Sequence, residues 1–497
     1  MQQFDWKALH SGTDIRGVAM DGAPSPKNLT EEVAAAAAKA FAARLREGQP
    51  DAVLTVAVGR DSRLSGPALA AAVIEALAQS GCNVIDCGLA STPAMFMTTV
   101  DLGCDAAIQI TASHHPWYRN GLKFFLPQGG LQSADVADIL RRAEAGGFAD
   151  APMRGTVRQV AYMQQYAAGL RRLIIERCGD EKPLQGLHIV VDAGNGAGGF
   201  YVRDVLAPLG AETAGSQFLE PDGRFPNHIP NPEDKAAMQS LCDAVRESGA
   251  DFGIIFDTDV DRAGCADADG SEINRNRLIA LASLLVLQDH PGCTVVTDSV
   301  TSLGLGRFIA EKGGKHCRFK RGYRNVINEA QRRCALGADC PLAIETSGHA
   351  ALRDNYFLDD GAYLMTRLLI LLVGLRREGK TLAQLLDSLQ QPAEECEVRL
   401  DLTGADFRAD GLRILQTLEQ KAEAMGLRVA TDSAEGVRLC SEDGFVMLRV
   451  SVHDPVMPVN AESDTVGGCK ELLARIIPVL DAQNGIDTAP LHAFVQR

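Results

Sequence analysis

Residues 111–116 read Thr-Ala-Ser-His-His-Pro, and Asn120-Gly121-Leu122-Lys123 come three residues later. The stretch directly follows Ala106-Ala107-Ile108-Gln109-Ile110, an apolar run of strand length. A serine at a strand end can be held rigidly while its hydroxyl stays open to a cleft. The proline and glycine behind Ser113 predict a turn with exposed backbone N–H groups. Lys123 is close enough in sequence to serve that cleft as a charge or a proton carrier. Alone, the stretch is equally an ordinary strand-to-loop transition.

The second signal is Asp257-Thr258-Asp259-Val260-Asp261-Arg262, behind the apolar run Phe252-Gly253-Ile254-Ile255-Phe256. Three carboxylates at alternate loop positions can converge on one hard cation, and Mg²⁺ takes oxygen ligands in near-octahedral geometry. Without a cation they would repel one another, and at least one would take up a proton. A calcium hand is excluded by spacing. Counted from Asp257, Arg262 stands where glycine is required and Ala268 where the bidentate glutamate belongs. The alternative is a solvated acidic turn; the preceding strand and the adjacent Arg262 favour metal binding.

Working outward, further landmarks fall in order: Gly12-Thr13-Asp14-Ile15-Arg16-Gly17, Gly59-Arg60-Asp61-Ser62-Arg63, then the two stretches above, then Glu345-Thr346-Ser347-Gly348-His349 and Arg449-Val450-Ser451. With these six landmarks the chain resembles the α-D-phosphohexomutase superfamily over nearly its whole length. The resemblance implies an α/β fold of three related α/β units plus a C-terminal α+β domain around a central cleft, with one loop from each facing it. The divisions expected are 1–178 for the phosphoserine-bearing domain, 179–285 for metal binding, 286–392 for sugar recognition and 393–497 for phosphate binding. The fourth domain is expected to hinge.

The activity implied is interconversion of hexose 1-phosphate and hexose 6-phosphate, with glucose, mannose or both as the sugar. It would run through phosphorylated Ser113 and a hexose 1,6-bisphosphate, which also serves as activator. Asp257, Asp259 and Asp261 would hold Mg²⁺, with a phosphoserine oxygen of Ser113 as a further ligand. Arg16, Arg60 and Arg262 would surround the transferring phosphate, and His114 would contact substrate. Lys123 would be the general acid/base, its neutral form favoured by Arg16 and Arg262; an equal reading has it only offset phosphate charge. Glu345, Ser347 and His349 would bind sugar hydroxyls, Arg324 would bind substrate, and Arg449, Ser451 and His453 the substrate phosphate. Arg60 could equally form a surface or inter-domain salt bridge.

The chain also departs from the family pattern. His115 stands where asparagine is common, Thr346 where Met, Glu or Gln is usual, and Tyr323-Arg324 where other members carry His or Phe and Lys. The last landmark, commonly Arg-x-Ser-Gly/Asn-Thr-x-Pro, becomes Arg449-Val450-Ser451-Val452-His453-Asp454-Pro455. Val452 and His453 replace two polar or flexible positions, and each charge-assisted hydrogen bond lost is worth about 1.5–3 kcal/mol. A protonated His453 could compensate. Two other classes share the pattern: a related phosphotransferase that forms sugar bisphosphates, and a non-catalytic sugar-phosphate-binding protein. Ser113, the aspartates and Lys123 argue against the second.

Bulk properties narrow the classes. A chain of 497 residues is too long for one core. A hydrophobic share of 46% fits a globular protein. A net charge of −15 argues against a nucleic-acid partner and leaves local Arg and Lys to attract a phosphosugar. Thirteen cysteines, without a Cys-x-x-Cys pair, fit reduced thiols and a cytoplasmic setting. The N-terminus shows no basic and apolar leader. The greasiest runs, 278–287 and 364–375, read as buried helices too short for a bilayer, so no membrane partner is expected. The assembly expected is a monomer or homodimer.

Periodicity places strands at 53–58, 83–87, 188–192, 294–297 and 342–345, and helices at 65–80, 162–177 and 362–375. The last hundred residues read as strands at 398–402, 429–430 and 445–452 with helices at 411–425 and 468–480. The run Gly194-Asn195-Gly196-Ala197-Gly198-Gly199 lacks the full dinucleotide fingerprint and reads as a tight turn.

Overall fold

In the computed structural model, which describes residues 5–49, 52–451 and 454–496, the first sheet takes β1 (His10–Ser11), β2 (Asp14–Val18), β3 (Thr55–Arg60), β4 (Asn83–Leu89), β5 (Ala106–Ile110), β6 (Arg119–Leu126), β7 (Gly129–Gly130) and β8 (Val157–Gln159). Their order is β1-β2-β6-β5-β3-β4-β8, with β7 on β6. Strands β5, β3, β4 and β8 run parallel, whereas β6 and β2 are antiparallel to their neighbours. Because β5 is central, all five of its residues are buried, and its one polar member, Gln109, donates to Ala90 O (2.8 Å). Helices Glu31–Leu45 and Gly66–Gln79 place Val33, Phe41, Val73 and Leu77 in one core with Val56, Val58 and Ile108. Thr30 caps the first of these helices by accepting from Val33 N.

The second sheet is β9 (Ile189–Asp192), β10 (Phe252–Phe256), β11 (Ala263–Asp267) and β12 (Glu272–Ile273), in the order β12-β11-β10-β9. Only β9 and β10 are parallel. Helix Lys235–Ser248, capped by Asp234, lays Leu241 and Val245 over Val190 and Ile255. Next come β13 (Thr294–Asp298), β14 (Lys315–Phe319) and β15 (Leu342–Ile344), with both neighbours parallel to β13. They are followed by the antiparallel pair β16 (Ala350–Leu352) and β17 (Leu358–Asp359).

The last group is antiparallel throughout. It comprises β18 (Glu394–Asp401), β19 (Arg428–Val429), β20 (Val437–Cys440), β21 (Gly444–Leu448) and β22 (Val456–Ser463), in the order β18-β22-β21-β20-β19. One face presents Val398, Leu400, Val446, Leu448, Met457 and Val459 to helices Phe407–Lys421 and Gly468–Asp481. Three α/β groups and a final α+β group thus follow one another along the chain.

By their contacts the residues form two compact units, Met1–Leu278 with Ser347–Gln384 and Ile279–Thr346 with Leu385–Arg497. Among the described residues, no helix is long and apolar enough to cross a membrane, and all thirteen cysteines are free thiols.

The structure moves some expected boundaries. The strand expected at 53–58 lies at Thr55–Arg60, and Val53 is 74% exposed. The strand expected at 445–452 ends at Leu448, and Val452 falls outside the described residues. Gly121, read as a turn residue, lies with Asn120 inside β6. Pairing of Gly121 with Arg16 and of Lys123 with Gln109 outweighs its local turn preference.

Candidate active site

Ser113 lies three residues beyond β5 with φ 52°, a left-handed conformation uncommon for a residue with a side chain. Arg63 holds it there. This arginine is fully buried and donates to four backbone carbonyls of the loop: Ser113, His115 (2.6 Å), Pro116 (2.8 Å) and Arg119 (2.9 Å). Its counter-ion is Asp61, 3.2 Å from Nε. Asp61 also accepts from Thr111 Oγ1 (2.6 Å), and Thr111 Oγ1 in turn accepts from Ser113 N (2.9 Å). Burial pushes the Asp61 carboxyl up to about 6, although Arg63 and Thr111 pull it down. The landmark at 59–63 therefore works through Asp61 and Arg63. Arg60, the residue singled out from the sequence, is half-buried and bonds the carbonyl of Asp61 (3.3 Å).

The loop between β10 and β11 faces this serine within the same compact unit. Ser113 Oγ donates to Asp257 Oδ2 (3.0 Å), and Arg262 Nη2 donates to Ser113 Oγ (3.0 Å). Arg262 also bonds Asp257 Oδ2 (2.9 Å), Asn231 Oδ1 (3.0 Å) and His114 Nδ1. His114 is thereby an acceptor. Burial and then Arg262 hold its imidazole far below the usual range, and burial followed by Arg16 brings His115 down to about 3. Arg16, on β2, pairs with Asp14 at 2.7 Å.

Asp257, Asp259 and Asp261 are all but fully buried, and their ligand oxygens lie within 4.8 Å of one another. Burial, then the neighbouring Asp261, pushes the Asp257 carboxyl well above the usual carboxylate range. Burial raises Asp261 too, but Lys123 and then His349 outweigh it and hold that carboxyl low. Lys123, on β6, bonds Asp259 (2.9 Å) and Asp261 (2.5 Å). The sequence reading set its amine among guanidiniums that favour the neutral form; its hydrogen bonds here go to two carboxylates, the setting of an ammonium. Thr92, at the start of helix Thr92–Asp101, closes the loop by donating to Asp259 Oδ2 (2.5 Å) and, through its N–H, to Asp259 O (2.8 Å).

The donor set fits a hard divalent cation. Asp259 Oδ1 and Asp261 Oδ1 are buried without a hydrogen-bond partner among the described residues, which leaves two carboxylate oxygens open to a ligand. Cys265 is buried on β11 and turns its thiol to Ile273 O, as a packing residue would.

The glycine run supports this loop. Ala197 N donates to Thr258 O (2.8 Å), and a Cβ on Gly196 would lie 2.6 Å from that oxygen. Gly196→Ala should therefore cost about 1–3 kcal/mol by forcing backbone apart. A melting curve matching the parent's would refute this contact.

His349 joins the same unit. Its backbone bridges to Arg262, Nδ1 bonds Asp359, and Asp261 lies 3.9 Å away. Burial lowers this imidazole, but Asp359 and Asp261 outweigh it and push it up to about 9, so His349 is a donor at neutral pH.

The unit thus gathers Ser113, His114, Lys123, the three aspartates, Arg262 and His349. Glu345, Arg324, Arg449 and Ser451 belong to the other compact unit. There Glu345 accepts from Gly322 N (2.5 Å), and Arg324 stands in the first turn of helix Tyr323–Ala335. Ser451 accepts from Asp454 N (3.3 Å). His453 lies outside the described residues. The supporting residues Asp61, Arg63, Thr92, Thr111, Asn231 and Asp359 carried no separate role in the sequence. Asp61 and Arg63 stood inside a quoted landmark, of which the sequence reading gave a role to Arg60.

Residues 9–149, 162–270 and 274–392 match, in turn, the phosphoglucomutase/phosphomannomutase α/β/α domains I, II and III. A phosphoglucomutase of Neisseria gonorrhoeae is 30% identical over 472 residues, covering 94% of this chain and 96% of the relative. A phosphomannomutase/phosphoglucomutase of Pseudomonas putida is 31% identical over 455 residues, 91% of each chain. Among solved structures, a phosphoglucomutase/phosphomannomutase family protein of Burkholderia thailandensis superposes with a TM-score of 0.81 at 28% identity, covering 97% of this chain and 99% of the other. On the matched domains and the full-length relatives, the chain belongs to the phosphoglucomutase/phosphomannomutase family.

Proposed function

We propose that the protein is a phosphohexomutase that interconverts the 1-phosphate and 6-phosphate of glucose, mannose or both, with Ser113 as the phosphoryl carrier. One observation carries the reading: Ser113 Oγ is held between Arg262 and Asp257, beside three buried carboxylates and a lysine. A binding protein has no use for a hydroxyl so placed.

In the first step the P–Oγ bond of phosphorylated Ser113 breaks and a P–O bond forms to the free sugar hydroxyl, whose proton ends on the freed Ser113 Oγ. The hexose 1,6-bisphosphate then turns over. In the second step a P–O bond to the sugar breaks and a P–Oγ bond forms to Ser113, and the proton that the serine hydroxyl gives up ends on the departing sugar oxygen. Lys123 Nζ, hydrogen-bonded to Asp259 and Asp261, is the group that relays these protons. Arg262 steers the serine oxygen and carries positive charge to the transferring group, with Arg16 nearby. His349, fixed by Asp359, donates to a sugar hydroxyl, alongside Ser347. Asp257, Asp259 and Asp261 would hold Mg²⁺, which supplies electrostatic stabilisation of the transferring phosphoryl group. We place the four domains at 1–178, 179–285, 286–392 and 393–497, and the protein in the cytoplasm as a monomer or homodimer.

Phosphorus NMR of the 6-phosphate product tests the reading. The protein is incubated with Mg²⁺, a trace of glucose 1,6-bisphosphate, and the 1-phosphate of glucose or mannose. A chelator should lower the rate by about a hundredfold or more, and added Mg²⁺ should restore it. Bisphosphate without 6-phosphate would favour the phosphotransferase reading. No product from either sugar, with Ser113 phosphorylated, would overturn the mutase assignment.

A further inference from the structure

The second compact unit gathers arginines around one strand, and two of them lie outside the expected phosphate loop. Arg399 on β18 is paired with Pro458 on β22. On the other side of that strand Arg449 N donates to Pro458 O (3.3 Å), so Arg399 and Arg449 flank one residue. Val398, Leu400, Met457 and Val459 point into the core, which turns Arg399 and Pro458 to the opposite face. The third arginine arrives from the basic run. Arg321 N donates to Glu435 Oε1 (3.1 Å), and the adjoining Gly436 lies against Arg449: a Cβ there would stand 2.9 Å from Arg449 Cβ.

The local charges do not balance. Glu397 accepts from Arg399 Nε (2.8 Å) and from Asn460 Nδ2 (3.1 Å), and Glu435 faces Arg321. Among the described residues, three guanidiniums and two carboxylates thus share this face. Arg449 Nε is buried with no hydrogen-bond partner among the described residues, a donor without its acceptor. Burial, then the charge of Arg321, depresses the Arg449 guanidinium, and Glu435 and Glu397 offset this only in part. A dianionic phosphate monoester meets both deficits, because guanidinium forks match phosphate oxygens.

We propose that Arg321 and Arg399 join Arg449 in a cradle for the phosphate of the substrate that is not being transferred. This rests on the phosphosugar reading above. It also supplies, from β18 and from the loop before helix Tyr323–Ala335, donors that the sequence at Val452 does not offer.

Calorimetry with glucose 1-phosphate, on full-length protein carrying Ser113→Ala to prevent turnover, tests it. R321A should weaken binding about tenfold or more, and R399A, being more exposed, about threefold. Both losses should shrink in about 0.5 M salt. R321K and R399K should recover part of the affinity, and R475A, on the distant face of helix Gly468–Asp481, should match the parent. In the active background the same alanine variants should raise KM and leave kcat near the parent value.

Unchanged affinity in R321A and R399A beside a loss in R449A would overturn the cradle and leave the mutase reading standing. Failure of the parent to bind either glucose 1-phosphate or inorganic phosphate at millimolar concentration would also overturn it. Loss of phosphosugar binding in the arginine variants of a protein that isomerises neither sugar would uphold the cradle and reject the mutase reading.

Discussion

Ser113→Ala removes turnover, with kcat falling on the order of 10⁴-fold or more, while binding of a hexose 1-phosphate stays within about threefold of the parent. The size follows from the chemistry. In the proposed mechanism both half-reactions pass the phosphoryl group through one oxygen, and methyl offers no substitute. The binding residues are elsewhere, so the ground state should be little changed. The structure also limits collateral damage: Arg63 holds the loop through backbone carbonyls, which alanine retains. The side-chain partners left behind, Arg262 and Asp257, still have each other at 2.9 Å. The product assay measures the rate, and mass spectrometry of the intact protein should show the phosphoryl group on the parent alone. Residual isomerisation above about one per cent would assign the phosphoryl carrier to another residue.

Arg63→Met has the second largest effect, on stability and on rate together. The substitution leaves four loop carbonyls without their donor and Asp61 buried without its cation. Breaking a buried pair in this way costs about 3–5 kcal/mol. The loss should depend on pH, with a definite sign. In the parent the Asp61 carboxyl is already raised from 3.8 to about 6 by burial, and Arg63 is the largest influence opposing that rise. Without it the carboxyl moves higher still. A carboxyl raised by folding favours the folded state when protonated, and that advantage disappears as pH climbs through its folded value. The variant should therefore melt closest to the parent near pH 5 and fall furthest behind near pH 8. An equal deficit at both would mean that Asp61 is not what the arginine compensates. Arg63→Lys keeps the charge but not the planar fork, so it should recover stability better than kcat.

Much of this site was legible because its parts are local. The triple-aspartate loop, the serine behind β5 and the glycine turn each occupy a handful of consecutive residues, and their types state their chemistry. Helices such as Tyr162–Cys178 and Gly361–Arg377 stood within a residue or two of their apolar periodicity. What could not be read was pairing. Nothing near Lys123 says that β6 inserts between β2 and β5, yet that insertion sets its amine on Asp259 and Asp261. Likewise Arg60 and Arg63 differ little in a string of letters. Only burial separates the one that reaches four carbonyls from the one that bonds its neighbour. Asp359 escaped notice because its partner, His349, is joined to it by the turn between β16 and β17.

The distances along the chain have a consequence in time. The hydrogen bond from Ser113 to Asp257 joins residues 144 apart, and that from Lys123 to Asp261 joins residues 138 apart. Contacts of such long reach are closed late in folding, because the loops they close carry the greatest entropy. During synthesis the serine and lysine leave the ribosome long before the acidic loop exists. A growing chain therefore carries the hydroxyl but not the centre around it. The capacity to move a phosphoryl group arrives late and all at once, when two separately built sheets find each other.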